Sequence, residues 1–133
     1  MDEKTKQAML KELTHDENVE FEKLVPKVKQ IVKIKPDGTP VIICDMTKLS
    51  RQEQIFAYLT GKFFAKLVET SQKNSAHVKE IAEYLRIESN IVAARLVELR
   101  DHRHVEQVGR GEYKISTVSL EKSLDQILKK IGE

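Results

Sequence analysis

Apolar residues recur along the chain at two different periods, and the changes of period mark its elements. From Phe21 they fall at Phe21, Leu24, Val25, Val28 and Ile31. Steps of three and four put them on one helix face. Pro26 lies inside that stretch and predicts a kink or a new helix start, because it lacks an N–H and clashes with the preceding turn. At Ile31-Val32-Lys33-Ile34-Lys35 the period becomes two, with Val32 and Ile34 on one face and Lys33 and Lys35 on the other. Pro36-Asp37-Gly38 follows, then Thr39-Pro40-Val41-Ile42-Ile43. Proline suits the second position of a type I turn and glycine supplies the positive φ after it, so the segment predicts a β-hairpin. Pro40 confines its strand to an edge or an end. Met1 to Leu13 reads as a polar helix, and Thr14-His15-Asp16-Glu17-Asn18, rich in cap-type residues, as a break.

Ser50-Arg51-Gln52-Glu53 has the form of a capping box, in which the serine hydroxyl takes an N–H of the first turn and the glutamate reaches back. The helix it predicts runs to about Thr70 and carries Ile55, Leu59, Phe63 and Leu67 at steps of four, with Phe56, Tyr58 and Phe64 beside them. Gly61 in its middle costs about 1 kcal/mol relative to Ala, and such a residue marks a close helix crossing. His77 to Leu85 predicts a short helix with Val78, Ile81, Ala82 and Leu85 inward. Arg86-Ile87-Glu88 is a tight link. Ser89 or Glu88 caps a second helix, running to about Arg103, whose inner stripe is Val92, Leu96 and Leu99. Val105 to Val108 and Glu112 to Ile115, joined by Gly109-Arg110-Gly111, predict a second hairpin. A last helix, capped by Ser119, carries Leu120, Leu124, Ile127, Leu128 and Ile131 on one face. That face serves either its own core or a dimer seam.

Helix, three-residue turn, longer helix and hairpin is the order of the winged helix-turn-helix family, and the residues resemble it directly. Glu80-Ile81-Ala82 followed by Leu85-x-Ile87 looks like the family's first helix and turn. Val92, Leu96 and Leu99 resemble the spine of its recognition helix, and His104-Val105-Glu106 with Gly109-Arg110-Gly111-Glu112-Tyr113 its wing. With the helix from Ser50 the likeness covers about half the chain, and the whole looks like small archaeal winged-helix proteins with an N-terminal hairpin extension. The expected fold class is α+β, mostly α. Residues 1–45 form an N-terminal helical and hairpin extension, 46–117 a winged-helix domain, and 118–133 a C-terminal helix, a candidate dimerisation element. One departure stands out: Arg103 occupies the end of the recognition helix, where the family has glycine.

The resemblance implies a homodimeric transcriptional regulator that inserts the helix from Ser89 into the major groove of duplex DNA. On a helical wheel the face opposite Val92 and Leu99 holds Asn90, Ala94, Val97 and Asp101, with Ile91 and Glu98 beside them. Asn90 is the one residue there of the type that reads base edges. Arg95 and Arg100 flank the face as phosphate contacts. Arg110 and Lys114 lie on the wing, and Ser89 and Lys79 at the helix starts, completing the candidate nucleic-acid set. The plain alternative for each basic residue is a solvated surface charge.

Charge sharpens this. Residues 1–22 hold seven acids against three bases, 23–66 three against nine, 67–116 eight of each and 117–133 three of each. The net charge of +2 is therefore an acidic head set against a basic second segment, and the module expected to bind DNA is neutral. Two other readings follow. One is a protein-docking module using the Ala94/Val97 patch. The other is RNA or ribonucleoprotein binding through Lys33 and Lys35, which lack an interleaved aromatic for base stacking.

Catalytic and cofactor chemistry has little to stand on. Cys44 is the single cysteine and reads as a small buried hydrophobe. His102-x-His104, His15 and His77 lack the further ligands of a metal site. Phosphate-binding glycine loops and nucleophile elbows have no match, so neither enzyme activity nor a cofactor is expected. The longest apolar run, Ile55 to Leu59, is too short for a membrane span. The opening Met1-Asp2-Glu3-Lys4 lacks a signal-peptide core, so a cytoplasmic location is expected.

Overall fold

The computed structural model describes residues 1–13 and 21–132, excepting the side chains of 11–13. Its elements run α1 (Glu3–Leu13), α2 (Val25–Val28), β1 (Val32–Ile34), β2 (Pro40–Ile42), a 3-10 turn (Met46–Lys48), α3 (Arg51–Leu67), β3 (Ala76–His77), α4 (Val78–Leu85), α5 (Ser89–Asp101), β4 (Val105–Gly109), β5 (Glu112–Ile115) and α6 (Leu120–Ile131). The architecture is α+β, with two small antiparallel sheets. The break expected at Thr14–Asn18 lies outside the described residues.

Pro26 opens a new helix instead of kinking a long one. It sits in the first turn of α2, where a missing N–H costs nothing. Phe21, Leu24, Val28 and Ile31 are buried, while Val25 is turned outward. The hairpin turn forms around Pro36-Asp37: the Gly38 N–H donates to the Lys35 carbonyl at 2.8 Å, and Gly38 takes φ +90°. β1 and β2 pair in the register Val32–Ile42, Lys33–Val41 and Ile34–Pro40, with Pro40 as the first residue of its strand.

The capping box closes as expected. Ser50 Oγ accepts the Glu53 N–H at 3.2 Å and Glu53 Oε1 accepts the Ser50 N–H at 2.8 Å. In α3 every residue from Gln54 to Gly61 is buried, so the helix is covered all round and not along one stripe; Phe63 and Leu67 are half-buried. The hairpin covers one side and α5 with β5 another. Gly61 marks a close approach, but of hairpin to helix and not of two helices. A Cβ there would lie 2.6 Å from Pro40 Cβ and 2.9 Å from Val32 Cγ2. The bare helix surface lets β1 and β2 lie flat on it.

α4 and α5 pack through Val78, Ile81 and Ala82 against Val92, Leu96 and Leu99. α4 ends at Arg86, left-handed at φ 58°, ψ 47°, with the Ile87 N–H donating to the Ala82 carbonyl at 3.1 Å. α5 starts at Ser89 after Glu88, whose side chain makes no cap bond, and stops at Asp101, short of Arg103. Arg103 itself takes the left-handed turn at φ 62°, and the His104 N–H returns to the Leu99 carbonyl at 2.8 Å. The backbone thus makes a glycine-type turn with an arginine in it, at a cost of about 1 kcal/mol.

The second sheet has the order β3–β5–β4. Its two-residue strand β3 carries too little pattern to be read from sequence. α6 buries Leu120, Leu124 and Ile127 within the chain, and Lys27 of α2 bridges to its Asp125 at 2.8 Å and Glu121 at 3.0 Å. The apolar stripe that offered a dimer seam is therefore covered by the chain's own core. The Ser119 side chain does not cap α6; at ψ 25° the residue is not extended, and its Oγ lies 3.4 Å from His104 Nδ1. One apolar cluster runs from Phe21 to Ile127, joining extension, middle segment and last helix.

Candidate nucleic-acid interface

α5 turns Ser89, Asn90, Ile91, Ala94, Val97 and Asp101 outward, as its spacing predicts. Asn90 has no hydrogen-bond partner among the described residues. Ile91 and Val97 remain 41% and 37% exposed, and Val108 on β4 48%, so the surface around α5 is partly apolar.

The basic residues divide into two groups. Four are matched by carboxylates: Arg95 to Glu98 at 2.9 Å, Arg100 to Asp101 at 3.6 Å, Lys114 to Glu106 at 3.6 Å and Lys73 to Glu112 at 3.7 Å. Arg95 shares its partner with α3, because the other oxygen of Glu98 accepts from Gln52 Nε2 at 2.5 Å. Arg100 is further held by Gln107 Oε1 at 2.7 Å. Lys79, Arg86, Arg103 and Arg110 are exposed and have no ion-pair partner among the described residues. The neutral charge of residues 67–116 is thus half realised as local pairs; four cations are left over, and so are four acids, the exposed Glu69, Glu83 and Glu88 and Glu80, which pairs with Lys62 outside the segment.

His77 brings two of those cations together. Its Nδ1 accepts the Lys79 N–H at 3.1 Å, capping α4, and its ring lies under the hairpin turn. A Cβ on Gly111, itself at φ +72°, would lie 2.7 Å from His77 Nε2. The Gly111 carbonyl accepts the Val78 N–H at 2.9 Å. Lys79 and Arg110 flank these two bonded positions, so they share one end of the sheet. Ser89 and Asn90 lie past the other end of α4, about 12 Å along the helix. Sequence reasoning had left His77 as an unassigned imidazole. A histidine directly before a helix start was the available signal, since its ring nitrogen can cap.

Behind this surface Tyr58 Oη donates to Glu80 Oε2 at 2.5 Å, and Lys62 pairs with the same oxygen at 3.3 Å. Burial first, then the Glu80 carboxylate, pushes the Tyr58 phenol well above its ordinary range. Tyr84 Oη accepts the Ile42 N–H at 2.7 Å, tying the N-terminal hairpin to α4. Cys44 is half-buried against the core, and burial raises its thiol. The His102 and His104 rings stack at 6.4 Å, and no group of three or more potential metal ligands gathers among the described residues. No described helix is long and apolar enough to cross a membrane.

Comparison with protein-family profiles, with curated proteins and with solved structures returned no match. The arrangement by itself offers a few point contacts for anions and one amide side chain for a hydrogen-bonding edge.

Proposed function

We propose that the chain is a winged-helix protein that binds duplex DNA and acts as a transcriptional regulator. The observation that supports this reading is the order α3–β3–α4–α5–β4–β5 with the sheet order β3–β5–β4, the order expected of a helix-turn-helix followed by a wing. Asn90 is the base reader, at the exposed start of α5. Lys79 and Arg110 hold phosphates directly, since neither has a carboxylate to give up. Arg95, Arg100 and Lys114 reach phosphate only by exchanging a carboxylate partner, so they contribute less than their number suggests. A dimer on a palindromic site has to be built from elements other than the buried face of α6; α1 presents Met9 and Leu10 outward.

Fluorescence anisotropy with short duplexes tests the reading. Two to four phosphate contacts per protomer give a slope of about −2 to −4 in log K against log salt. Lys79→Gln with Arg110→Gln should weaken low-salt binding at least about tenfold. Absence of duplex binding at about 20 mM salt would overturn the proposal.

A second reading, protein docking on the same surface, is favoured by the exposed Ile91, Val97 and Val108 beside paired charges. Val97→Asp separates the two: a lost protein partner with retained duplex binding supports docking.

A further inference from the structure

The first two amides of α4 are held by different parts of the chain. The Val78 N–H donates to the Gly111 carbonyl at 2.9 Å, and the Lys79 N–H to His77 Nδ1 at 3.1 Å. The β4–β5 turn and an imidazole thus share one helix end. A Cβ on residue 111 would lie 2.7 Å from His77 Nε2 and 3.2 Å from its Cε1, so the half-buried ring fills the space a side chain would need and supports the turn from below. The other side-chain caps described, by Asp2, Asp45 and Ser50, keep one charge state between about pH 5 and 8, whereas an imidazole does not. Nδ1 accepts a hydrogen bond only while it carries no proton. Proton uptake there removes the acceptor and breaks the cap.

The charged groups around the ring are Lys79 and Glu80 on α4, Arg110 on the β4–β5 turn, Glu112 opposite His77 in the β3–β5 register, and Lys73 before β3. Both carboxylates are engaged elsewhere. Glu80 takes Tyr58 and Lys62, and Glu112 takes Ser75 Oγ at 3.1 Å and Lys73 at 3.7 Å. The remaining neighbours are cations. An imidazolium formed here therefore has no acceptor in place of the bond it has lost.

We propose that His77 is a positioning residue of the candidate interface and makes its anion contacts depend on pH. With the ring neutral, the first turn of α4 is capped and joined to the β4–β5 turn, which holds Lys79 and Arg110 at one end of the sheet. With the ring protonated, that first turn loses its cap, the Val78–Gly111 bond beside it loosens, and the two cations no longer form a fixed pair. Phosphate binding is then strongest with the imidazole neutral and weaker once it is charged. The effect on affinity rests on the duplex reading, which gives Lys79 and Arg110 to phosphate.

Two measurements keep this inference separable from the duplex reading. Without DNA, the isotope-labelled full chain is followed by NMR from about pH 7.5 to about 5.5, the range in which imidazoles change charge. The amides of Val78, Lys79 and Gly111 should shift together, with the midpoint of the His77 ring. In His77→Asn, whose side chain caps a helix without titrating, they should stay still. With a short duplex at fixed salt, the affinity of the unaltered chain should fall over that interval about three- to tenfold more than that of His77→Asn, the two being equal at the upper end. The other histidines are common to both proteins and cancel from the comparison. If His77→Asn does not fold, the ring and amide titration of the unaltered chain is the deciding test. A ring that keeps one charge throughout, a ring that titrates while those amides stay still, equal pH dependence in the two proteins, or tighter duplex binding on acidification in the unaltered chain alone would each overturn the proposal. Absence of duplex binding at every pH would overturn the duplex reading, and the amide titration would still decide whether His77 releases the turn.

Discussion

Replacing Gly61 with alanine sets two effects of known sign against each other. Helix propensity alone favours alanine by about 1 kcal/mol in a helix interior. The new methyl, however, would lie 2.6 Å from Pro40 Cβ and 2.9 Å from Val32 Cγ2. Ordinary carbon contacts begin at about 3.5 Å, so the hairpin must lift by roughly 1 Å. Neither neighbour can swing aside. Pro40 is a ring fixed to the backbone of β2, and Val32 is branched at Cβ and 2% exposed. Overpacking of this kind costs about 1–3 kcal/mol, and displacing the hairpin also loosens Ile42 and Val32 from α3. The net expectation is a loss of about 1–2 kcal/mol despite the better helix former. Urea denaturation should show the midpoint falling by roughly 0.5–1 M with an unchanged slope. Hydrogen exchange should quicken at the bonded amides of β1 and β2 more than in α5. A variant as stable as the parent, or more stable, would show that the hairpin does not rest on α3 as described.

Three other outcomes can be measured in the same way. Arg103→Gly removes the steric cost of a left-handed side chain but gains unfolded-state entropy, so a stabilisation of about 0.5 kcal/mol is expected by thermal melting, and a loss would contradict the turn geometry. Tyr84→Phe leaves the Ile42 N–H without its partner, which should cost about 1–3 kcal/mol and show as faster exchange of that amide. Glu53 is held below the ordinary carboxylate range: burial works against this, but the Lys130 ammonium at 2.7 Å and the Ser50 N–H outweigh it. Its folded value lies below its unfolded one, so its contribution is complete above the unfolded value and fades as pH falls through the folded one. Glu53→Gln should therefore flatten the acid limb of the stability curve below about pH 4.5, and an unaltered limb would refute the assignment.

What could be read from the sequence was whatever is settled by neighbours a few residues apart. The Pro36–Gly38 turn, the Ser50–Glu53 box and the Val92, Leu96, Leu99 stripe each depend on local geometry, and each appears as expected. What could not be read depends on which distant surfaces meet. Gly61 signalled a close approach, but only the folded chain shows that Pro40 is what approaches. α6 has an amphipathic stripe whatever covers it, and the cover turned out to be its own core. In the candidate interface, spacing placed Asn90, Ala94 and Val97 outward correctly. It could not reveal that Arg95, Arg100 and Lys114 have carboxylate partners, since those pairings depend on rotamers and on residues such as Gln52 from another helix. His77 was missed for the same reason: its use is a ring surface under Gly111, 34 positions later in the numbering.

The matched charges around α5 also bear on how fast a partner arrives. Each Arg95–Glu98 or Lys114–Glu106 pair is a short dipole whose field decays within a few ångströms, and beyond a screening length of about 8 Å in physiological salt little of it remains. Such pairs draw no molecule from a distance. Steering is left to the few unpaired cations such as Lys79 and Arg110, so association should exceed the unguided rate of about 10⁵–10⁶ M⁻¹s⁻¹ only modestly, and its salt dependence should fall away when those two are neutralised. Whatever this face recognises, it must recognise on touching it, and the selectivity will be found in how long the partner stays.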